Sequence, residues 1–226
     1  EGLKKQDKKI DITIKNYRIM YKIYEEKIKN LFENYKSQDS ELQEIINRKY
    51  VYSQFHTGRK VLFIGLNPSF NEKRAKKEEY YKSFDATNNS HPYFQKFPLL
   101  VENKNDWTFL DLLYIRETKH QSVKDFYNKE PDFIKQQLKI SKEIIKKINP
   151  EIIVVCDTFA RDLFKSDIMN FELEFDDTIG TYRIINNPDF KDTIVFFSGM
   201  LTGQRALDNG SFERLKWHLN KVKSLK

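Results

Sequence analysis

"VLFIGLNPSF", residues 61–70, is an apolar run of strand character that stops abruptly on Gly65-Leu66-Asn67-Pro68-Ser69. Glycine permits a close backbone approach and proline fixes its own φ, so the turn holds Asn67 at the strand's end. Counting Lys60 and Leu66 into the first run, "KVLFIGL" (60–66), three more of the same kind follow: "WTFLDLLYI" (107–115), "EIIVVC" (151–156) and "DTIVFFS" (192–198). Near-continuous apolar runs of this length are what parallel strands covered on both faces require.

Helical segments separate these runs. "PDFIKQQLKISKEIIKKIN" (131–149) opens on Pro131, carries Phe133, Leu138, Ile144, Ile145 and Ile148 on one face, and stops at Asn149-Pro150. "TFARDLF" (158–164) starts another helix, and "SFERLKWHLNKVKSL" (211–225) a third, with Ser211 as its N-cap and a basic last turn. Residues 172–187 read as a short antiparallel hairpin turning at Ile179-Gly180-Thr181. The order predicts an α/β protein, a three-layer α/β/α domain over residues 58–226 with a four-stranded, mainly parallel sheet. Residues 1–57 read as an N-terminal helical extension packed on that body, because Tyr17, Tyr21, Tyr24, Ile28, Leu31 and Tyr35 recur at spacings of three and four.

Composition narrows the function. In 226 residues, 40 Lys and Arg stand against 33 Asp and Glu, a formal net charge of +7, which favours a polyanionic partner such as DNA. Cys156 is the only cysteine, which excludes an internal disulfide and any thiolate-built zinc or iron–sulfur site. No His-x-x-x-His or similar spacing suggests a metal, so neither metal nor cofactor is expected. No stretch approaches the ~20 apolar residues of a membrane span. The expectation is a soluble, cytoplasmic monomer.

In open α/β sheets ligands lie beyond the carboxyl ends of the strands. Four such ends converge here: Asn67 to Phe70, Asp111 to Arg116, Cys156 to Thr158, and Ser198 to Arg205. A Gly-x-Asn-Pro turn by itself is equally an Asx-type turn, so the conjunction of the four carries more than any one.

Together these stretches resemble the uracil-DNA glycosylase superfamily over roughly residues 59–225. "GLNPS" is similar to the Asn form of its water-positioning motif, found in the mismatch-specific and single-strand-selective branches, and "NSHPYF" (89–94) to the His-Pro-aromatic stretch that follows. "FLDLLYIR" (109–116) resembles the strand carrying the pyrimidine-reading asparagine and, five residues on, an arginine; Asp111 and Arg116 keep that spacing. "KKINPEIIVVCDTFARDLF" is similar to the family's helix, Asn-Pro, strand and small-residue helix, and "FFSGML" (196–201) stands where the family has its His-Pro-Ser-Pro-Leu loop. The departures are Phe196 at the position of the loop histidine and aspartate for asparagine at 111.

The resemblance implies a monofunctional DNA glycosylase acting on a flipped base, with Asn67 orienting the water. Leu66, Phe70, Tyr93, Phe94 and Asp111 would hold the base. Ser69, His91, Arg116, Ser198, Met200, Leu201, Thr202, Gln204 and Arg205 would hold DNA. Asn67 can orient a water but is no general base at neutral pH, so bond breaking must be dissociative. Asp111 fits uracil poorly, since an ionised carboxylate only accepts and leaves O4 facing negative charge. Cytosine offers a donor at N4 and an acceptor at N3; a protonated carboxyl meets both, and an ionised one meets N4 alone. The plain alternative has Asp111 paired with Arg116 or capping a loop. Met200 or Leu201 would wedge into the vacancy left by the flipped nucleotide, unless both are simply buried. Arg59, Lys60, Lys73, Arg74, Lys76 and Lys77 add basic surface. A modified cytosine is thus expected ahead of uracil, including the hypermodified cytosines of phage DNA in a defence role. The alternatives are a catalytically silent nucleic-acid-binding module and a conventional uracil or mismatch glycosylase.

Overall fold

The computed structural model describes residues 21–72, 82–190, 192–203 and 206–225. Its centre is a sheet built on the four apolar runs: β2 (Val61–Gly65), β4 (Trp107–Asp111), β5 (Ile152–Val155) and β8 (Ile194–Phe197). These four are mutually parallel, with Gly65 beside Asp111 and Val155 between Ile64 and Phe197. All but Phe197 are buried, as strands sandwiched between two layers must be.

The expected four-stranded sheet is corrected on one point of substance. The hairpin β6 (Leu173–Asp176) and β7 (Thr181–Ile184) does not stand apart; β7 pairs antiparallel with β8 and β6 with β7. The sheet is therefore mixed and six-stranded, ordered β4-β2-β5-β8-β7-β6. It does not have the strand count or the parallelism that the uracil-DNA glycosylase resemblance implies. Docking the hairpin closes the edge that β8 would otherwise expose, and Thr181 Oγ1 locks it by donating to the Val195 carbonyl at 2.7 Å. Gly180, with φ of +66°, supplies the left-handed residue that the Asp177–Gly180 turn needs.

A second, two-stranded parallel sheet joins β1 (Val51–Gln54) to β3 (Lys82–Asp85). The segment before residue 58 is thus not helical throughout: α1, described over residues 21–34, and α2 (Ser40–Asn47) lead into a strand. This strand lies along the free edge of β4, where Ser53 Oγ donates to the Phe109 carbonyl at 3.0 Å.

Two apolar layers flank the large sheet. On one face lie α1, α2 and the helices α3 (His120–Lys129), α4 (Pro131–Ile148) and α5 (Thr158–Phe164). The other carries the 3-10 segment Pro92–Leu100 and the helix α6 (Asn209–Lys223). Pro131 opens α4 and Asn149, at φ +51°, ends it in the left-handed conformation. The N-cap of α6 is Asp208 rather than Ser211, because the helix starts three residues earlier than a Ser211 cap requires; Asp208 Oδ1 accepts from Ser211 N at 2.9 Å. Among the described residues no helix is long and apolar enough to cross a membrane.

Candidate active site

The chain leaves β2 over one face of the sheet, through Pro92–Leu100, and leaves the adjacent β5 over the other, through α5. Connections that diverge from neighbouring strands open a crevice between their carboxyl ends, the usual ligand position of such sheets. Asn67, Asp111, Cys156 and Asp157 stand on this rim.

Asn67 is half-buried and its amide is oriented without ambiguity. Nδ2 donates to the carbonyls of Pro68 at 3.0 Å, Ile115 at 3.2 Å and Glu117 at 2.7 Å, so three acceptors share its two protons. Oδ1 accepts from nothing among the described residues. The turn is stitched to the segment after β4 by backbone bonds from Leu112, Leu113 and Glu117 to Gly65, Leu66 and Pro68. That segment is itself pinned from beneath. Gln137 Oε1 accepts from Tyr114 N at 2.8 Å, and Ser141 Oγ donates to the Leu112 carbonyl at 2.8 Å.

Asp111 ends β4 and is 7% exposed. No hydrogen bond or ion pair reaches its carboxyl among the described residues, so neither the Arg116 pairing nor a capping role is present. Burial without compensation pushes its pKa up to about 8. The carboxyl packs where a side chain on Gly65 would stand: a Cβ there would overlap Asp111 Oδ1 and come within 2.9 Å of Phe109 Cζ. Gly65→Ala should therefore destabilise the protein by about 1–3 kcal/mol through overpacking and displace the carboxyl. Chemical denaturation checks the first effect, and a lowered Asp111 pKa in an NMR titration the second.

Tyr93 covers the same place. Its half-buried ring meets Phe94 and Phe109 edge-on at 4.9 and 6.0 Å, and burial, then the charges of Asp111, Cys156 and Asp157, push its phenol pKa upward. Phe94 is buried within that aromatic cluster, against Phe84, Phe97 and Phe109. Leu66 is buried in the opposite layer. The Phe70 ring already carries two guanidiniums, Arg48 at 4.5 Å and Arg116 at 5.3 Å from its centroid. Ser69 is exposed, as is His91, whose Nδ1 caps the next turn by accepting from Tyr93 N at 3.2 Å.

Beyond β8 the loop divides. Leu201 is 1% exposed and belongs to the core, whereas Met200 is half-buried and leaves only one of the two wedge candidates near solvent. Ser198 bonds locally to the Gly199 carbonyl, and Thr202 Oγ1 is buried with no partner among the described residues. Gln204, Arg205, Lys73, Arg74, Lys76 and Lys77 lie outside the described residues. Phe196 is interior to β8 and packs edge-on against His218 at 4.8 Å, so it never reaches the rim.

The rim also holds residues that belong to no motif. Glu117, buried, accepts from Thr118 N and Lys119 N at 2.7 Å each and binds Arg48 Nη1 at 2.7 Å. Asp157 caps α5 and faces His120 Nε2 at 3.5 Å. An Asp immediately before a helical Thr is the only one of these signals visible in one dimension. Compared with known proteins, the chain matches no family model and no curated protein.

Proposed function

We propose that this protein is a monofunctional DNA glycosylase that hydrolyses the N-glycosidic bond of a flipped, modified cytosine. One observation carries the reading: an amide with a free acceptor, Asn67 Oδ1, and a buried, unpartnered carboxyl, Asp111, stand at the ends of adjacent strands. Its likeness to the uracil-DNA glycosylase superfamily lies in the site loops rather than in strand number.

The chemistry follows from the two groups. A water donating to Asn67 Oδ1 is held for attack on C1′ as the sugar becomes cationic, and the amide needs no proton transfer to do so. Asp111, with its pKa near 8, keeps its proton at neutral pH. A neutral carboxyl donates to cytosine N3 and accepts from N4; the same group meets uracil by accepting from N3–H and donating to O4, so it favours cytosine only while its proton sits on the oxygen that faces N3. This contact leaves C5 unread, so it does not by itself exclude cytosines substituted there, and a defence role against hypermodified phage DNA fits. Met200 fills the vacated stack, and the +7 charge favours phosphate contact in the cytoplasm by a monomer.

The test is base release from duplexes carrying uracil, mismatches, or cytosine that is plain, methylated, hydroxymethylated or glucosylated. Asp111→Asn should move preference from cytosine-type bases toward uracil by about ten- to a hundredfold, the worth of a mismatched buried polar contact. Identical ranking by both proteins would make Asp111 structural. DNA binding without release from any duplex would leave a silent binding module.

A further inference from the structure

Resting on the glycosylase reading, we infer that Asp111 is a catalytic acid as well as a reader of the base, delivering its proton to N3 as the glycosidic bond breaks. An excised base departs with the electron pair of the N1–C1′ bond, and that charge must be met. In this chain the loop beyond β8 brings no histidine to the rim, since Phe196 is interior to the strand. Among the described residues no salt bridge reaches Asp111.

The structure supplies instead a proton donor held out of water. Asp111 is 7% exposed, lies against Gly65, and has no competing acceptor for its proton among the described residues. The titratable groups around it are Tyr93 from the Pro92–Leu100 segment and Tyr114 from its own run, with Cys156 and Asp157 beyond β5 reaching Tyr93; His120 lies behind Asp157. Burial keeps both phenols and the Cys156 thiol in their protonated forms, so none competes for the Asp111 proton.

The step balances without any co-reactant. The N1–C1′ bond breaks and its electron pair goes to N1, while N3 takes the Asp111 proton, so the base leaves as a neutral tautomer. The water on Asn67 forms the new C1′–O bond and releases a proton, and solvent returns one to the Asp111 carboxylate. The reactive form is the protonated one, so the rate is full at neutral pH and lost as pH rises through the Asp111 pKa near 8.

Single-turnover release from a cytosine-type substrate measured from about pH 6 to about pH 10 tests this, with thermal melting across the same range and down to about pH 4. The wild-type rate should fall about tenfold per pH unit above the pKa, and Asp111→Asn should be pH-independent and about 10²-fold slower. A substrate with carbon in place of N3 should be slow with both proteins, with no further loss in the variant. Melting gives a readout free of activity: the native state binds the proton more tightly than the unfolded chain, so wild-type stability should decline as pH rises from about 4 to about 8, a decline absent in Asp111→Asn. A flat rate profile, or normal release of the N3-less base, would overturn proton delivery and leave the glycosylase reading intact. Silence on every substrate would overturn both.

Discussion

Replacing Asn67 with alanine should slow base release by at least about 10²-fold while leaving DNA affinity nearly unchanged, the pattern of losing one positioned polar group at a reacting centre. The side chain does two jobs with opposite ends of one amide. Nδ2 is spent on the carbonyls of Pro68, Ile115 and Glu117, and Oδ1 is what remains for water. Asn67→Asp therefore should not restore base release, although an aspartate accepts from water better than an amide does. Its second oxygen would face three carbonyls with no proton to offer, at a cost of about 1–3 kcal/mol for leaving those buried acceptors without a donor. Alanine strips the same three carbonyls of their donor, so both variants should lose rate and melting temperature, aspartate the more because its oxygen adds repulsion to the missing donor. Single-turnover rates with binding isotherms check the first, and thermal unfolding the second. Equal rates for wild type and alanine would remove Asn67 from the reaction.

How much of this was legible in one dimension depends on the range of the forces involved. The four parallel strands announced themselves because burial on both faces demands an unbroken apolar run, as in Val61–Gly65. The hairpin was visible too, but not its destination: Leu173–Asp176 and Thr181–Ile184 are short and half polar, and only the open edge of β8 decides where they pair. The strand Val51–Gln54 hid for a similar reason, since its hydrogen bonds go to the distant Lys82–Asp85 and Phe109. At the site, Asn67 stood out as a polar residue ending one apolar run and Asp111 as one interrupting another. Their partners did not, because Arg48, Glu117 and His120 reach the rim from separate elements with no fixed spacing. Ser211 misled as a cap because Asp208, three residues earlier, offers the same chemistry to the helix. Adjacent apolar residues at 200 and 201 read alike in sequence, yet only Leu201 enters the core.

Glu117→Ala should be the most damaging single change to the rim's framework, lowering stability by about 3–5 kcal/mol, as expected when one member of a buried charge pair is removed. Glu117 Oε1 accepts from two successive backbone N–H groups, Thr118 and Lys119, and Oε2 binds Arg48, whose side chain is only 20% exposed. Alanine leaves both N–H groups without their acceptor, and leaves the guanidinium only its longer contacts of 3.5 Å to the exposed Glu44 and to the Arg116 carbonyl. In a domain of this size that corresponds to a fall of roughly 6–20 °C in Tm. Glu117→Gln keeps one acceptor and should cost less. The Arg48→Ala/Glu117→Ala double variant should cost less than the two single variants added together, since the orphaned charge is removed with its partner. The consequence for function runs through the backbone: the Glu117 carbonyl is the shortest of the three contacts holding Asn67, at 2.7 Å, and the carboxylate of the same residue fixes the turn that presents it. If melting falls as expected in Glu117→Ala and base release stays slow at temperatures well below the variant's Tm, the loss lies in the Asn67 contact. Recovery of the rate with recovered stability would place it in the fold. Because Arg48 follows the helix Ser40–Asn47, either outcome ties the N-terminal segment to the site that it borders.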